Sequence, residues 1–163
     1  MPRQWYNARM HFAFDWIQGL EDVIRLLIAY ALVFPVGWYR EKEAHGVGVR
    51  TFPIVAMASC GYLLLAGPSS HMGPDSQSRV IQGLVAGIGF IGGGAILKTD
   101  NRVQGVATAA SIWNTGVVGA SVAQDRYLLA IMLAFMNFLT LRFLLDLKKK
   151  LDVDERSANE PRP

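Results

Sequence analysis

The sequence contains little formal charge, one cysteine and few histidines. Only 18% of its 163 residues are Asp, Glu, Lys or Arg, against roughly a quarter in soluble domains. Cys60, as a lone cysteine, cannot close an intramolecular disulfide, which excludes a disulfide-stapled secreted scaffold. The histidines, His11, His45 and His71, lie far apart without cysteine or paired carboxylate neighbours. We therefore expect no zinc or histidine-based catalytic centre, no cofactor and no enzymatic activity. A net charge of +3 is too small to indicate nucleic-acid binding.

The chain is instead rich in apolar residues, which make up 52% of the sequence. A helix needs about 17–25 mostly apolar residues to cross the hydrocarbon core of a bilayer. Five apolar runs occur, at residues 23–39, 52–67, 80–97, 105–123 and 127–145, and the second is marginal in length at 16 residues. Buried helices of a soluble bundle would need polar faces beside their apolar stripes, and most of these runs have none. The pattern predicts an all-α integral membrane protein with five transmembrane helices in residues 23–145, surrounded by the lipid bilayer.

Basic residues are unevenly distributed between the predicted connections. With five spans, the 39–51 loop, the 98–104 loop and the C-terminal tail share one side, which holds ten Lys and Arg residues against four on the other. The positive-inside rule then makes the N-terminus periplasmic and the C-terminus cytoplasmic. Residues 1–22 are predicted to be an interfacial lead-in on the periplasmic side, because Trp, Tyr and Phe are scattered through them. Residues 146–163 are predicted to be a short cytoplasmic tail without a C-terminal soluble domain.

The third apolar run is rich in glycine. Residues 87–92 spell GxGxxG, but a dinucleotide site would need a preceding strand and an acidic residue about 20 positions later, and neither is present. Gly83 and Gly87, and then Gly89 and Gly93, form two GxxxG pairs, which let transmembrane helices approach closely. The fourth run is rich in Ala, Ser and Gly as well. We therefore predict that the third and fourth helices pack tightly against each other.

A transporter-like alternative rests on the same two runs. Gly92, Gly93 and Gly94 follow one another, and each costs about 1 kcal/mol of helix propensity relative to alanine. Helices broken at membrane depth line substrate sites in transporters. Thr108 and Asn114 in the fourth run would then face a polar cavity. The other interpretation, which the sequence favours, is that these polar groups form hydrogen bonds between helices.

These motifs resemble the MgtC/SapB family of bacterial inner-membrane proteins. Residues 87–94, followed by residues 103–113 ending in Trp113, are similar to the family patterns GIGFLGAG and VRGLTTAAxxW. Arg40-Glu41 ahead of residues 48–51, which include Arg50, resembles the first family loop. The resemblance extends over about residues 20–145. It departs from the family at three positions, where the chain has Tyr39 for a Glu, Gln104 for an Arg and Ala107 for a polar residue.

The resemblance implies a membrane protein linked to growth at low magnesium and, in pathogens, to virulence through survival inside host cells. Some family members are thought to act on the membrane ATP synthase rather than to transport magnesium. We therefore expect a non-enzymatic factor of the bacterial inner membrane that contacts a membrane protein partner or associates with itself. A small ion or solute transporter using the third and fourth helices is the alternative.

Two charged clusters are candidates for function. Asp75 and Arg79, which match the family's DxxxR element, would share a helix face at the outer mouth of the third helix. Arg40, Glu41 and Arg50 are predicted to form an ionic cluster on the cytoplasmic side. A carboxylate at the membrane costs free energy unless it forms an ion pair or serves a function. Asp75 is therefore the candidate residue to bind Mg²⁺ or another cation. The alternative is that these charges only mark the membrane boundaries.

Overall fold

The structure, a computed structural model, describes residues 16–43, 48–67, 73–99 and 102–158. Within these ranges the chain forms five α-helices and one short antiparallel hairpin. The elements are α1 Trp16–Glu43, α2 Thr51–Leu65, α3 Pro74–Gly94, β1 Leu97–Thr99, β2 Arg102–Gln104, α4 Val106–Ala123 and α5 Tyr127–Ala158. The predicted all-α architecture with five helices is confirmed.

Several helices extend beyond the apolar runs from which they were predicted. α1 begins at Trp16, inside the stretch predicted as an interfacial lead-in, of which residues 1–15 lie outside the described part. α3 begins at Pro74, a residue preorganised for the first helical turn. α5 continues through the predicted tail as far as Ala158. Hydropathy detects only the apolar portion of a helix, so it misses turns that carry charge.

Length and apolarity single out one helix as a membrane span. Among the described residues, only α4 has 18 residues of sufficient apolarity, and half of that stretch is buried inside the protein. α2 is apolar but has 15 residues, a rise of about 22 Å against a hydrocarbon core of about 30 Å. Five membrane-spanning helices were predicted, and among the described residues only α4 satisfies both the length and the apolarity criterion.

α4 is the central helix, and it contacts each of the other four. Its tightest approach is to α2, where Gly119 lies so close to Ala56 that a Cβ at position 119 would stand 2.9 Å from the Ala56 carbonyl carbon. Gly116 faces the side chain of Ile88 in α3. Phe52 and Ile112 fill the adjoining core and are fully buried. Small residues in α4 thus serve close packing, mainly with α2 rather than with α3.

Two contacts at opposite ends establish that α1 and α4 are antiparallel. Arg40 in the last turn of α1 bonds to Thr108 in the first turn of α4. Arg25, near the start of α1, pairs with Asp125 in the turn that follows α4, at 2.9 Å between Nη2 and Oδ1. We call the first end the hairpin end, because β1 and β2 join α3 to α4 there, and the second the turn end.

The hairpin end depends on one glycine conformation. In the stretch predicted to be a loop, β1 and β2 pair as antiparallel strands, with Lys98 opposite Val103. Gly105 then turns the chain into α4 with a φ of +87°, in the left-handed region that favours glycine. A Cβ at this position would also stand 3.0 Å from the Ala95 carbonyl carbon. The turn therefore brings α4 back beside the end of α3.

Candidate functional site

A buried arginine lies between α1 and α4 at the hairpin end. Arg40 is 7% exposed, and its Nη2 donates a hydrogen bond to the hydroxyl oxygen of Thr108, which is 5% exposed. Arg40 lies in the last turn of α1 and Thr108 in the first turn of α4. The two side chains meet because these helices are antiparallel. Ionisable groups buried in membrane domains are costly and are usually kept for packing specificity or function. Arg40 and Thr108 were both candidates from the sequence, and the structure brings them together.

The other two members of the predicted ionic cluster point elsewhere. The Glu41 carboxylate accepts a hydrogen bond of 3.1 Å from the backbone N–H of Val49, in the turn before α2. Arg50 is exposed at the N-terminus of α2. Because α1 remains helical through this stretch, consecutive residues are turned by about 100° and face different neighbours. Arg40 therefore binds α4, whereas Glu41 holds the α1–α2 connection.

Two polar residues of α4 form hydrogen bonds to α5. The Ser111 hydroxyl donates to Asn137 Oδ1 at 2.9 Å, and Asn114 Nδ2 donates to the Leu133 carbonyl at 3.3 Å. These contacts support the interpretation of interhelical bonding over that of a polar cavity on α3. The sequence analysis missed Asn137, although an amide in the middle of the apolar run 127–145 was a signal for it.

The α4–α5 interface also carries a lateral groove. It has a volume of 380 Å³ and lies beside Ser111, Asn114 and Asn137. Two of the three positions that depart from the family pattern lie near this groove or the hairpin. Ala107 lines the groove as well, and Gln104 is exposed at the end of the hairpin. The third departure, Tyr39, packs edge-on against Phe138 of α5, with ring centroids 5.8 Å apart. A tyrosine in place of the family's glutamate thus makes an apolar contact between α1 and α5.

The two GxxxG pairs of α3 face away from α4, contrary to the predicted packing. A Cβ added at Gly83, Gly87, Gly89 or Gly93 would meet no atom within 4 Å. Gly92 is different, because a Cβ there would stand 3.1 Å from the carbonyl oxygen of Ala109 in α4. α3 therefore approaches α4 through Gly92 and Ile88, and the other glycines of α3 are exposed.

The glycine triplet ends α3 instead of breaking it. The helix is continuous from Pro74 to Gly94, and the chain then enters the hairpin. The predicted break at membrane depth is therefore wrong, because the low helix propensity of Gly92–Gly94 is used at a terminus. A groove of 530 Å³ separates α3 from α2, with Gly83, Gly87 and Tyr62 in its walls. Trp113 of α4, 47% exposed, lines a smaller apolar cavity of 170 Å³ against the other side of α3.

Asp75 and Arg79 lie at the opposite end of the molecule from Arg40. Both are exposed on the first turns of α3, and they form no ion pair with each other. Asp75 lies in the first turn, where a negative charge stabilises the helix dipole. The part of the chain that the structure covers contains no group of three or more His, Cys, Asp or Glu side chains that could hold a metal ion.

Sequence comparison identifies the family. Residues 26–150, which include Arg40, Thr108, Asn137 and all the α3 glycines, match the MgtC family. The chain belongs to the MgtC family. The resemblance drawn from the glycine and alanine motifs is thereby confirmed, and membership of this family supports a membrane location.

Several relatives extend this result. SrpB of Synechococcus elongatus is 37% identical over 139 residues, covering 78% of this chain and 75% of SrpB. The protein named "Putative magnesium transporter YhiD" of Escherichia coli K12 is 32% identical over 128 residues, 74% of this chain and 59% of YhiD. MgtC of Salmonella typhimurium is 33% identical over 97 residues, 60% of this chain and 41% of MgtC. The chain thus spans less than two thirds of the last two. No solved structure matches it.

Proposed function

We propose that this MgtC family member is a non-enzymatic membrane protein that supports adaptation to low magnesium or to host-cell stress by contacting a membrane protein partner. Family membership and the name of YhiD support the link to magnesium. The proposal includes an orientation with the hairpin end in the cytoplasm. The cluster of Arg40, Lys42, Arg50 and Lys98 at that end supports it through the positive-inside rule.

The open face of α3 is the observation that carries the proposal. Gly83 and Gly87 line the 530 Å³ groove beside α2, and a Cβ added at either position would meet no atom within 4 Å. In a bilayer there is little hydrophobic drive for helices to associate, so close backbone approach at small residues supplies much of the attraction. A partner helix seated in this groove would gain such contacts, whereas lipid chains would fill it less completely.

The transporter alternative has weaker support from the geometry. The name of YhiD favours it. However, α3 is continuous as far as Gly94, so it offers no freed backbone groups at membrane depth. Thr108, Ser111 and Asn114 already bond to neighbouring helices. A magnesium pathway would also be expected to use carboxylates, and the exposed Asp75 lies far from these residues along the chain.

Leucine at positions 83 and 87 tests the partner contact. We expect the Gly83→Leu/Gly87→Leu variant to reach the membrane at wild-type levels, since a Cβ at either position would meet no atom within 4 Å. The bulky side chains should fill the groove and lower the amount of copurified membrane partner at least tenfold. The measurement is quantitative mass spectrometry after purification from native membranes.

Ala86→Leu is the matched control. Ala86 is exposed on α3 but does not line the groove. We expect this variant to retain the partner. Equal recovery of the partner with all three proteins, or a loss that Ala86→Leu reproduces, would contradict the proposal that the groove is the binding face.

A further inference from the structure

Two amides lie at mid-height on the outer face of the α4–α5 pair. Asn114 is near the middle of α4, the helix best suited to span a membrane, about 12 Å from either end. Asn137 lies beside it on α5, and both line the 380 Å³ groove. Ala107 and Ala110 flank them on α4 and are exposed. The groove therefore combines small side chains with uncharged polar groups and opens to the side of the bundle.

The hydrogen bonds within the chain use only part of each amide. Asn137 accepts from Ser111 through Oδ1, which leaves its NH₂ group without a partner in the described part of the protein. Asn114 donates to the Leu133 carbonyl through Nδ2, which leaves its Oδ1 without a donor among the same residues. An amide has two donors and one carbonyl acceptor to satisfy. The same groove thus carries one donor group and one acceptor that have no partner among the described residues.

The bilayer makes this arrangement costly for an isolated chain. No water is present at mid-membrane depth to bond to the free groups, and lipid tails can neither donate nor accept. A polar group from another helix would satisfy them. Because one surface supplies both a donor and an acceptor, it is complementary to itself.

We propose that the α4–α5 groove is a homodimer interface, in which two copies of this chain meet about a two-fold axis. Asn137 of each copy donates to Asn114 of the other, giving two reciprocal hydrogen bonds, as a two-fold interface requires. Ala107 and Ala110 let the two α4 helices approach closely. This interface lies on a different face from the α3 groove, so it does not depend on the proposed function.

Site-specific crosslinking in lipid tests the interface. The variants are made in a Cys60→Ala background, so that each carries one cysteine. Met136→Cys lies on the rim of the groove and is exposed, and Phe90→Cys is an 86% exposed control on α3. Oxidation in proteoliposomes at low protein density should yield a disulfide-linked dimer with Met136→Cys and not with Phe90→Cys.

Removal of the amides tests the hydrogen bonds themselves. We expect Asn137→Leu to raise the dimer dissociation constant in lipid about tenfold, which corresponds to about 1.4 kcal/mol for the two symmetric bonds lost. Asn114→Leu should have a similar effect, and the double variant should add little, because both changes remove the same bonds. Ser111→Ala is the matched control, since it breaks the bond within the chain but leaves both amides in the groove.

The crosslinking and asparagine variants give different results if the dimer interface is present and if it is absent. Crosslinking through Met136→Cys together with weaker dimers in both asparagine variants supports the interface. A protein that is monomeric in lipid overturns it, as does a dimer that crosslinks through Phe90→Cys or is insensitive to Asn137→Leu. None of these results affects copurification through Gly83 and Gly87, so this inference and the proposed function can fail independently.

Discussion

Gly119→Ala is expected to destabilise the protein by about 3 kcal/mol, the usual upper range for overpacking a tight core. The added methyl group would collide with the backbone of Ala56 in α2, which cannot move as a flexible side chain could. The two helices would have to separate, and α4 contacts every other helix of the bundle. The measurement is the unfolding midpoint in a denaturant titration of the detergent-solubilised protein.

Two further glycines provide graded controls for this prediction. At Gly116 the obstacle is the end of the Ile88 side chain, which can change rotamer, so Gly116→Ala should cost less. At Gly87 there is no obstacle, and Gly87→Ala should be neutral or should stabilise by up to about 1 kcal/mol through helix propensity. Equal losses at all three positions would contradict the α2–α4 contact as the cause, because a Cβ at Gly87 meets no neighbouring helix.

Thr108→Val is expected to cost about 2 kcal/mol, the typical value of a hydrogen bond to a charged group. Valine has nearly the same volume as threonine but gives the buried Arg40 guanidinium no acceptor. Thr108→Ser keeps the hydroxyl and should lose roughly 0.5 kcal/mol or less. A double-mutant cycle with Arg40→Met, again read from unfolding midpoints, should give a coupling energy of about 2 kcal/mol. Similar stabilities for the valine and serine variants would contradict the bond.

Apolar runs predicted the number of helices because each run is long and the charges between runs are confined to short connections. They could not predict that α1 starts at Trp16 or that α5 reaches Ala158, since those turns carry charged residues and resemble connections. The β1–β2 hairpin was also missed. Its two strands have three residues each, too few for an alternating pattern to emerge.

The candidate site was predicted unevenly, for reasons of helix geometry. Small residues in α3 and α4 correctly predicted close helix packing, but the predicted partner helix was right only at some of them, such as Gly92, which approaches Ala109 of α4. Gly119 packs against α2, whereas a Cβ at Gly83 or Gly87 would meet no atom within 4 Å. One sequence reveals which residues share a helix face but not which neighbour that face meets. Arg40 was identified as part of an ionic cluster and Thr108 as a polar residue in an apolar run, whereas their bond depends on two helix ends that are 68 positions apart.

The central claim is that this MgtC family protein acts by contact and not by transport. Purified protein in liposomes loaded with a magnesium-sensitive dye tests it most directly, with Mg²⁺ added outside and the membrane potential clamped. The account predicts a signal equal to that of protein-free liposomes, for the wild type and for Asp75→Ala alike. Magnesium entry by the wild type that Asp75→Ala or Asn114→Leu abolishes would contradict the account and establish a transport pathway instead.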